Sequence, residues 1–278
     1  TTPRYRVYRG GFDALGLPPR IAALLDGLTR KAADHDDGRT LLFPAIYEHQ
    51  AKAFRATIGD NRDLVVATGT GSGKTECFLI PLLARLFDEA AERPDSFATR
   101  GVRGLILYPM NALVNDQLAR LRLLFGSSAV KGEFRDLGGR HAMFGMYTGR
   151  TPYPGPRTAS KDQESVSELL KKYLDTDAAL VRDLKKLGRW PAKDLTAFLA
   201  ENQAAAATFK TGKKAGKAYT KHNWSGRLLT GADDSELLTR HEMVRDRETE
   251  RGSAPDLLVT NYSMLEYMLM RPFERPIF

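Results

Sequence analysis

One stretch constrains the fold of this chain more than any other: residues 64–75 read LVVATGTGSGKT. A short apolar run leads into three glycines and then into Lys74 and Thr75, after which apolar residues recur at helical spacing over residues 76–87. The apolar run predicts a buried parallel strand, and the spacing after it predicts an amphipathic helix. A glycine-rich turn between a strand and a helix is typical of a phosphate-binding loop.

The residue types in this turn fit the binding of a nucleoside triphosphate. Glycines let backbone N–H groups approach a phosphate, and the positive end of the following helix faces the same anion. We expect Lys74 to reach the β- and γ-phosphates and the hydroxyl of Thr75 to hold Mg²⁺, which makes them the candidate catalytic residues. The alternative is a tight turn with a surface lysine, since Thr68 stands where the general motif has glycine. The predicted loop residues are Thr68, Gly69, Thr70, Gly71, Ser72, Gly73, Lys74 and Thr75.

A helix is predicted over residues 47–58, directly upstream of the loop, and it carries Gln50. A glutamine side chain offers both a donor and an acceptor, which is what the edge of an adenine ring requires. Gln50 is therefore a candidate nucleotide-binding residue, and the alternative is an exposed helix glutamine. Phe43 or Tyr47 could stack on the base or pack in the core.

Three further apolar segments extend the predicted sheet. Residues 102–109, 141–150 and 257–259 have the composition of buried strands, and helical segments follow the first and the last. Strands that alternate with helices across short loops predict an α/β fold with a parallel sheet. The pattern stops over residues 151–253, where helices and a polar, glycine-broken stretch are expected instead.

These patterns predict four parts of the chain. They are a lead-in helix over residues 1–40, the first part of the sheet domain over 41–150, a largely helical and basic insertion over 151–253, and a return to the sheet over 254–278.

Charge, cysteine count and hydropathy favour some kinds of protein and exclude others. The net charge of +8 favours a polyanionic partner, and the single cysteine excludes a disulfide framework within the chain. No apolar run approaches the roughly 20 residues of a membrane span, so we expect a cytoplasmic protein without a membrane partner. Residues 202–232 contain six Lys or Arg and no Asp or Glu, with aromatic residues between them. This stretch is either a nucleic-acid contact or a flexible solvated loop.

The sequence Asp88-Glu89-Ala90-Ala91 resembles the acidic box that binds Mg²⁺ in ATP-driven helicases. Such acids must lie at the end of a sheet strand that faces the phosphate loop. Asp88 instead falls within the helix predicted to begin near Lys74, roughly 20 Å from the phosphates at 1.5 Å per residue. We therefore expect these acids to form a solvated helix end.

Taken in order, the motifs resemble those of the first RecA-like domain of superfamily 2 helicases of the DEAD/DEAH type. The resemblance covers about residues 44–125, 142–150 and 255–278. The segments YPMNALVNDQLARL and NYSMLEYMLMRP are also similar to bacterial helicases of genome maintenance and phage defence, including the helicase subunit of the DISARM system. The matching motifs are YEHQ (Gln motif), ATGTGSGKTE (motif I), YPMNALVNDQ (motif Ia), YTGR (motif Ib) and VTNYSMLEYML (motif Ic).

This resemblance implies ATP and Mg²⁺ as cofactors and a groove that holds nucleic acid, single-stranded DNA above all, by its phosphates. Hydroxyls, helix N-termini and an arginine at the carboxyl end of a sheet suit phosphate oxygens. For Thr148 and Thr260 the alternative is ordinary strand-end capping. The implied groove residues are Pro109, Met110, Asn111, Thr148, Gly149, Arg150, Thr260 and Asn261.

Besides Thr68, the sequence departs from the family in two respects: no Asp-Glu box and no second RecA-like domain follow Thr260. The resemblance places such a box soon after Phe278, so we expect a fragment that alone binds ATP weakly and does not turn it over. The expected function is the ATP-binding motor domain of a nucleic-acid helicase or translocase, with phage defence as a possible setting and protein subunits as possible partners. The alternatives are a double-strand DNA translocase of a restriction-type machine and a non-catalytic nucleotide switch or scaffold.

Overall fold

The structure is a computed structural model that describes residues 5–30, 40–109, 111–152, 170, 173, 177–195, 204–222, 230–244, 253–272 and 274–278. The described chain divides into two compact units. The loop unit contains the residues up to Thr99 together with Ser127–Ala142, and the sheet unit contains Arg100–Gly126 and Met143–Phe278. No helix among the described residues is long and apolar enough to cross a membrane.

The loop unit is helical. Its longest helix, α3, begins directly after the phosphate-loop sequence and buries Leu79, Leu83 and Phe87 along one face. Phe134 stacks on Phe97 at 5.5 Å between ring centroids and meets Phe87 edge-on at 5.8 Å, which joins three helices of the unit. These helices are α1 (Pro19–Leu28), α2 (Glu48–Phe54), α3 (Glu76–Glu92), α4 (Pro94–Ala98) and α6 (Ser128–Gly138).

The prediction of a strand before the phosphate loop is wrong. Residues 61–69 adopt neither helix nor strand, and the side chain of Val65 is 92% exposed. A strand exists only through hydrogen bonds to a neighbouring strand, and the strands of the four-stranded sheet pair only with one another. Apolar, β-branched composition supplies the propensity for a strand but not the partner.

The sheet unit confirms the predicted parallel α/β architecture. Four strands pair in the order β1, β6, β2, β5, and every pairing is parallel. Strand β6 lies between two neighbours and buries Leu257, Leu258, Val259 and Thr260, as expected for a strand covered on both faces. The strands are β1 (Gly104–Tyr108), β2 (Phe144–Tyr147), β5 (Glu236–Leu237) and β6 (Leu257–Asn261), and α5 (Asn111–Phe125) and α9 (Tyr262–Met270) follow β1 and β6.

The strand register brings three predicted motif segments to one edge of the sheet. Tyr108 pairs with Asn261, and Tyr147 pairs with Thr260, so β1, β2 and β6 end side by side. Because the carboxyl ends of parallel strands meet at the same edge, the residues that follow them meet there as well.

The region predicted to be a largely helical insertion is in part β-structure. Helix α7 (Ala178–Lys186) is confirmed, whereas Ala204–Thr208, expected at the end of a helix, is strand β3 and pairs antiparallel with β4 (Ala218–His222). A charged helix is expected over residues 235–252. Among the described residues 235–244 of this range, Glu236–Leu237 is strand β5 and Arg240–Met243 is a short helix, α8, while residues 245–252 lie outside the described residues. Alanine runs favour helix in isolation, and here pairing with a second strand overrides that propensity.

One buried ion pair joins strand β5 of the insertion to helix α5, and two more form within the insertion. Glu236 accepts two hydrogen bonds from Arg122 of α5, each 2.7 Å long, and a third from the backbone N–H of Ala192 at 2.9 Å. Lys193 lies 2.7 Å from Asp234 and 2.6 Å from Glu242, and burial raises the pKa of Glu242 although Lys193 opposes the shift. These contacts make the insertion a structural part of the unit.

Candidate nucleotide-binding loop and nucleic-acid edge

The glycine-rich turn is exposed at Thr70 and Gly71 and buried at Ser72. Within the described part of the chain, the N–H groups of residues 70–74 donate to no protein acceptor. Gly71 and Gly73 have φ angles of +73° and +76°, a region that side-chain-bearing residues rarely adopt. N–H groups without an acceptor among the described residues, placed beside the start of a helix, are the arrangement that an anion would satisfy together with the helix dipole.

Lys74 lies against its own loop. Its ammonium group donates to the carbonyl oxygens of Thr68 and Gly69 at 2.7 and 2.8 Å. Thr68, the departure from the general motif, shares a hydrogen bond of 2.7 Å between its hydroxyl and that of Ser72. The threonine thus links the two ends of the turn, and the lysine must leave both carbonyls to reach a phosphate.

Helix α2 holds the turn from one side. The side-chain amide of Gln50 donates to the carbonyl of Gly73 at 3.1 Å, and its oxygen accepts from the N–H of Tyr47 at 2.8 Å. His49 Nε2 lies 2.9 Å from the carbonyl oxygen of Ser72, a contact that no local sequence pattern indicates. Gln50 is buried, so the alternative of an exposed glutamine is wrong, and its role in adenine binding stays a prediction.

Aromatic rings surround this contact. Tyr47 stacks on His49 at 5.7 Å between centroids, and the ring of Tyr5 lies 5.7 and 5.4 Å from the two of them. The cluster limits the rotation of His49, and therefore steadies the position of Ser72. Phe43 is 76% exposed and does not pack in the core.

Thr75 immediately precedes α3, and its carbonyl accepts from the N–H of Leu79 at 2.9 Å. At this position the hydroxyl of Thr75 could coordinate a metal ion beside the loop, which fits the Mg²⁺ expected with ATP. Cys77, two residues further, is buried, and burial raises the pKa of its thiol to about 11. Asp88 lies within the same helix, as expected, 3.9 Å from Arg20.

At the carboxyl edge of the sheet, the predicted groove residues divide into exposed and buried members. Pro109, Gly149 and Arg150 are exposed, and no partner of the Arg150 guanidinium is found among the described residues. Asn111 begins α5, while its side chain and the whole of Met110 lie outside the described residues.

The remaining members, buried Thr148 and Thr260 and half-buried Asn261, hold the strand ends together. The hydroxyl of Thr260 donates to the carbonyl of Tyr147 at 2.5 Å, and the side chain of Asn261 caps α9 by accepting from Met264 N at 2.8 Å. Thr148 is buried, and its hydroxyl accepts from the N–H of Arg150 at 3.3 Å. These contacts favour the capping alternative for the threonine hydroxyls, and a role of these residues in phosphate binding stays a prediction.

Sequence reasoning missed a network beneath this edge. The hydroxyl of Tyr147 donates to Glu274 at 2.6 Å, while Arg240 lies 5.0 Å from the Tyr147 ring and 3.7 Å from Glu274. Arg240 also donates to the carbonyl of Thr148 at 3.0 Å. A residue of the insertion thereby supports the Arg150 turn, and no local sequence pattern indicates a contact between positions 92 residues apart.

Comparison with known proteins agrees with this geometry. The DEAD/DEAH box helicase family matches residues 47–143, which include α2, the phosphate loop and strand β1. Druantia protein DruE of Escherichia coli (strain UMEA 4076-1) is 48% identical over 241 residues, which are 85% of this chain and 13% of that protein.

Two further relatives match shorter segments. The probable ATP-dependent RNA helicase DDX28 of Homo sapiens is 30% identical over 135 residues, 49% of this chain and 22% of that protein. The ATP-dependent RNA helicase ROK1 of Lodderomyces elongisporus is 39% identical over 75 residues, 27% of this chain and 12% of that protein. The chain thus spans a small part of each of these relatives.

The matched family, the parallel sheet and the phosphate-binding turn before α3 agree with one another. The fold is RecA-like, with motif segments at the carboxyl edge of its strands. Residues 47–143 thus match the DEAD/DEAH box helicase family, and most of the chain is similar in sequence to Druantia protein DruE.

Proposed function

We propose that this chain is the ATP-binding motor domain of an ATP-dependent nucleic-acid helicase or translocase. The observation that carries the proposal is the run of free N–H groups over residues 70–74, beside Lys74 and directly before α3. In a domain of the DEAD/DEAH type, such a turn is the place for the phosphates of ATP.

The residues of the loop have distinct tasks in this proposal. The backbone N–H groups hold the phosphates, Lys74 exchanges its bonds to Thr68 and Gly69 for one to a phosphate oxygen, and Thr75 holds Mg²⁺. Bound Mg-ATP supplies the phosphoryl group whose transfer to water drives the motor. Gln50 binds the edge of the adenine ring. Its side-chain amide can donate and accept further hydrogen bonds in addition to those with Gly73 and Tyr47.

The nucleic-acid partner that we propose is single-stranded DNA, held at the carboxyl edge of the sheet. Arg150 supports this most directly, because an exposed guanidinium without a partner among the described residues can pair with a phosphate at little cost. Pro109 and Gly149 leave backbone accessible beside it. Met110, Asn111, Thr148, Thr260 and Asn261 complete the proposed edge, the last three chiefly by holding the strand ends in register.

Two other functions compete with this one. A double-strand DNA translocase of a restriction-type machine would use the same loop but would move along duplex without separating its strands. A nucleotide-dependent switch or scaffold would bind ATP without turning it over. The intact pair Lys74 and Thr75 favours a working motor over a decayed site.

We further propose a setting in bacterial phage defence, in the cytoplasm and together with other protein subunits. The similarity of motifs Ia and Ic to helicases of that kind supports it, as does the 48% identity to a bacterial protein over 85% of this chain. In the domain layout that we propose, residues 41–150 and 254–278 form the first motor domain. Residues 1–40 lead into it, and residues 151–253 are its insertion.

A binding titration tests the nucleotide site. Full-length protein should bind a fluorescent ATP analogue in the presence of Mg²⁺, and Lys74→Ala should weaken that binding about tenfold or more, since a charge-assisted hydrogen bond is lost. The matched control is Lys52→Ala, an exposed lysine on α2. Equal binding by the parent and Lys74→Ala proteins would contradict the assignment.

A further inference from the structure

The stretch expected to be either a nucleic-acid contact or a loop contains a hairpin whose tip is ordered by its own backbone. We call residues 204–222 the lysine hairpin and residues 209–217 its tip. The tip is closed by hydrogen bonds between Phe209 and Lys217 at 3.1 Å and between Gly216 and Phe209 at 2.8 Å. Gly212 and Gly216 turn the chain with φ angles of +82° and +80°. The tip is therefore a defined, hydrogen-bonded structure.

The tip concentrates positive charge. Four of its nine residues are lysines, a fifth lysine lies in β4, and residues 204–222 contain no Asp or Glu. Every residue from 208 to 218 is exposed, and none of the tip ammonium groups forms an ion pair within the described part of the chain. The lysines are Lys210, Lys213, Lys214 and Lys217. A protein surface with this charge and no internal partner is suited to a polyanion.

Shape decides which polyanion fits. A single strand is usually held in a groove that offers several aromatic platforms, whereas the tip is exposed on all its residues and has one aromatic ring, Phe209, with Lys214 5.9 Å from its centre. A two-stranded ribbon fits the major groove of B-form DNA, which is about 12 Å wide, while the major groove of A-form RNA is too narrow for side chains to enter.

We infer that the lysine hairpin is a second nucleic-acid site that binds duplex DNA, with its tip in the major groove and its lysines on the flanking phosphates. This site is separate from the sheet edge proposed for single strands. The inference that the hairpin binds duplex DNA does not depend on the proposed motor function. The inference that the hairpin helps the protein to move along DNA does depend on it.

The test is the affinity of full-length protein for a fluorescent DNA duplex of about two helical turns, measured without nucleotide over a range of salt concentrations. Replacing the four tip lysines with glutamine should weaken duplex binding about tenfold or more. The slope of log K against log salt should become shallower by about 3.6, because each of the four phosphate contacts contributes about 0.9. Binding to double-stranded RNA and to single-stranded DNA should change by less than about threefold.

Two controls separate charge at the tip from charge in general. Arginine at the same four positions should retain the parent affinity and slope, and glutamine at Lys52 and Lys185, two exposed lysines outside the hairpin, should leave both unchanged. An unchanged duplex slope in the glutamine variant would overturn the inference, and so would an equal loss on all three nucleic acids. If duplex binding responds as expected but no nucleic acid stimulates ATP turnover, the hairpin site stands and the proposed motor function fails.

Discussion

The ammonium group of Lys74 donates a hydrogen bond to the carbonyl oxygen of Thr68, 2.7 Å away within the same turn. The group expected to hold a nucleotide phosphate is therefore engaged by the loop that presents it. Nucleotide binding must exchange this bond, and the one to Gly69, for contacts with phosphate oxygens, so loop rearrangement and binding are a single event.

The two left-handed glycines of the loop should differ in their tolerance of alanine. A Cβ at Gly73 would lie 2.4 Å from the side-chain nitrogen of Gln50, whereas a Cβ at Gly71 would meet nothing within 4 Å. We expect Gly71→Ala to cost about 1 kcal/mol in the free energy of unfolding and Gly73→Ala about 2 kcal/mol or more. Denaturant unfolding of the two variants measures the difference. Equal losses in the free energy of unfolding would show that the Gln50 side chain does not restrict a Cβ at position 73.

Gln50 has a structural contact and a predicted role in adenine binding, and one variant separates them. Gln50→Ala removes the bonds to Tyr47 and Gly73, so we expect a loss of about 1 to 3 kcal/mol in stability. If Gln50 also forms hydrogen bonds with adenine, the ratio of ATP affinity to GTP affinity should fall towards one in Gln50→Ala. An equal loss of affinity for both nucleotides would leave Gln50 with the structural role alone.

At the sheet edge, a buried hydroxyl and an exposed guanidinium should behave differently. Thr260→Val keeps the shape but removes the hydrogen bond to Tyr147, and should cost about 1 kcal/mol in stability without changing the salt dependence of single-strand binding. Arg150→Gln should leave stability unchanged and reduce the salt slope by about 1. A changed slope in Thr260→Val would show that this hydroxyl contacts the strand after all.

The single cysteine gives a pH-dependent prediction. Burial raises the pKa of Cys77 to about 11, so at pH 8 about one thiol in a thousand is ionised in the folded protein. Alkylation by iodoacetamide at pH 8 should therefore be slow until the protein is unfolded. Relative to Cys77→Ala, the parent should also lose stability as the pH rises from about 8.5 towards 11, because the unfolded thiol ionises first. Fast labelling of the folded protein would contradict the burial of this side chain.

The sequence predicted the parts of the fold that local pattern determines. The helix after the phosphate loop, strands β1, β2 and β6 and their common edge were all expected, because apolar periodicity and strand-end residues are properties of short segments. The prediction of a strand over residues 64–67 was wrong, and so was that of a helix extending through residues 204–208, because both depend on whether a partner strand is present. Composition alone does not supply that information.

The same distinction holds for the site. Lys74 and the glycines are recognisable from their spacing, and Gln50 from its place upstream. The contacts of His49 with Ser72 and of Arg240 with Thr148 join residues distant in sequence, and neither residue type is diagnostic by itself. Such supporting residues become visible only when the chain is folded.

The central claim is that this domain drives a nucleic-acid motor, and ATP turnover by full-length protein with and without single-stranded DNA tests it most directly. We predict turnover that rises with DNA and is abolished in Lys74→Ala, with Lys52→Ala as the matched control. ATP binding without turnover, turnover indifferent to DNA and RNA, or activity that survives Lys74→Ala would contradict the account. The first two results would favour a nucleotide switch or scaffold.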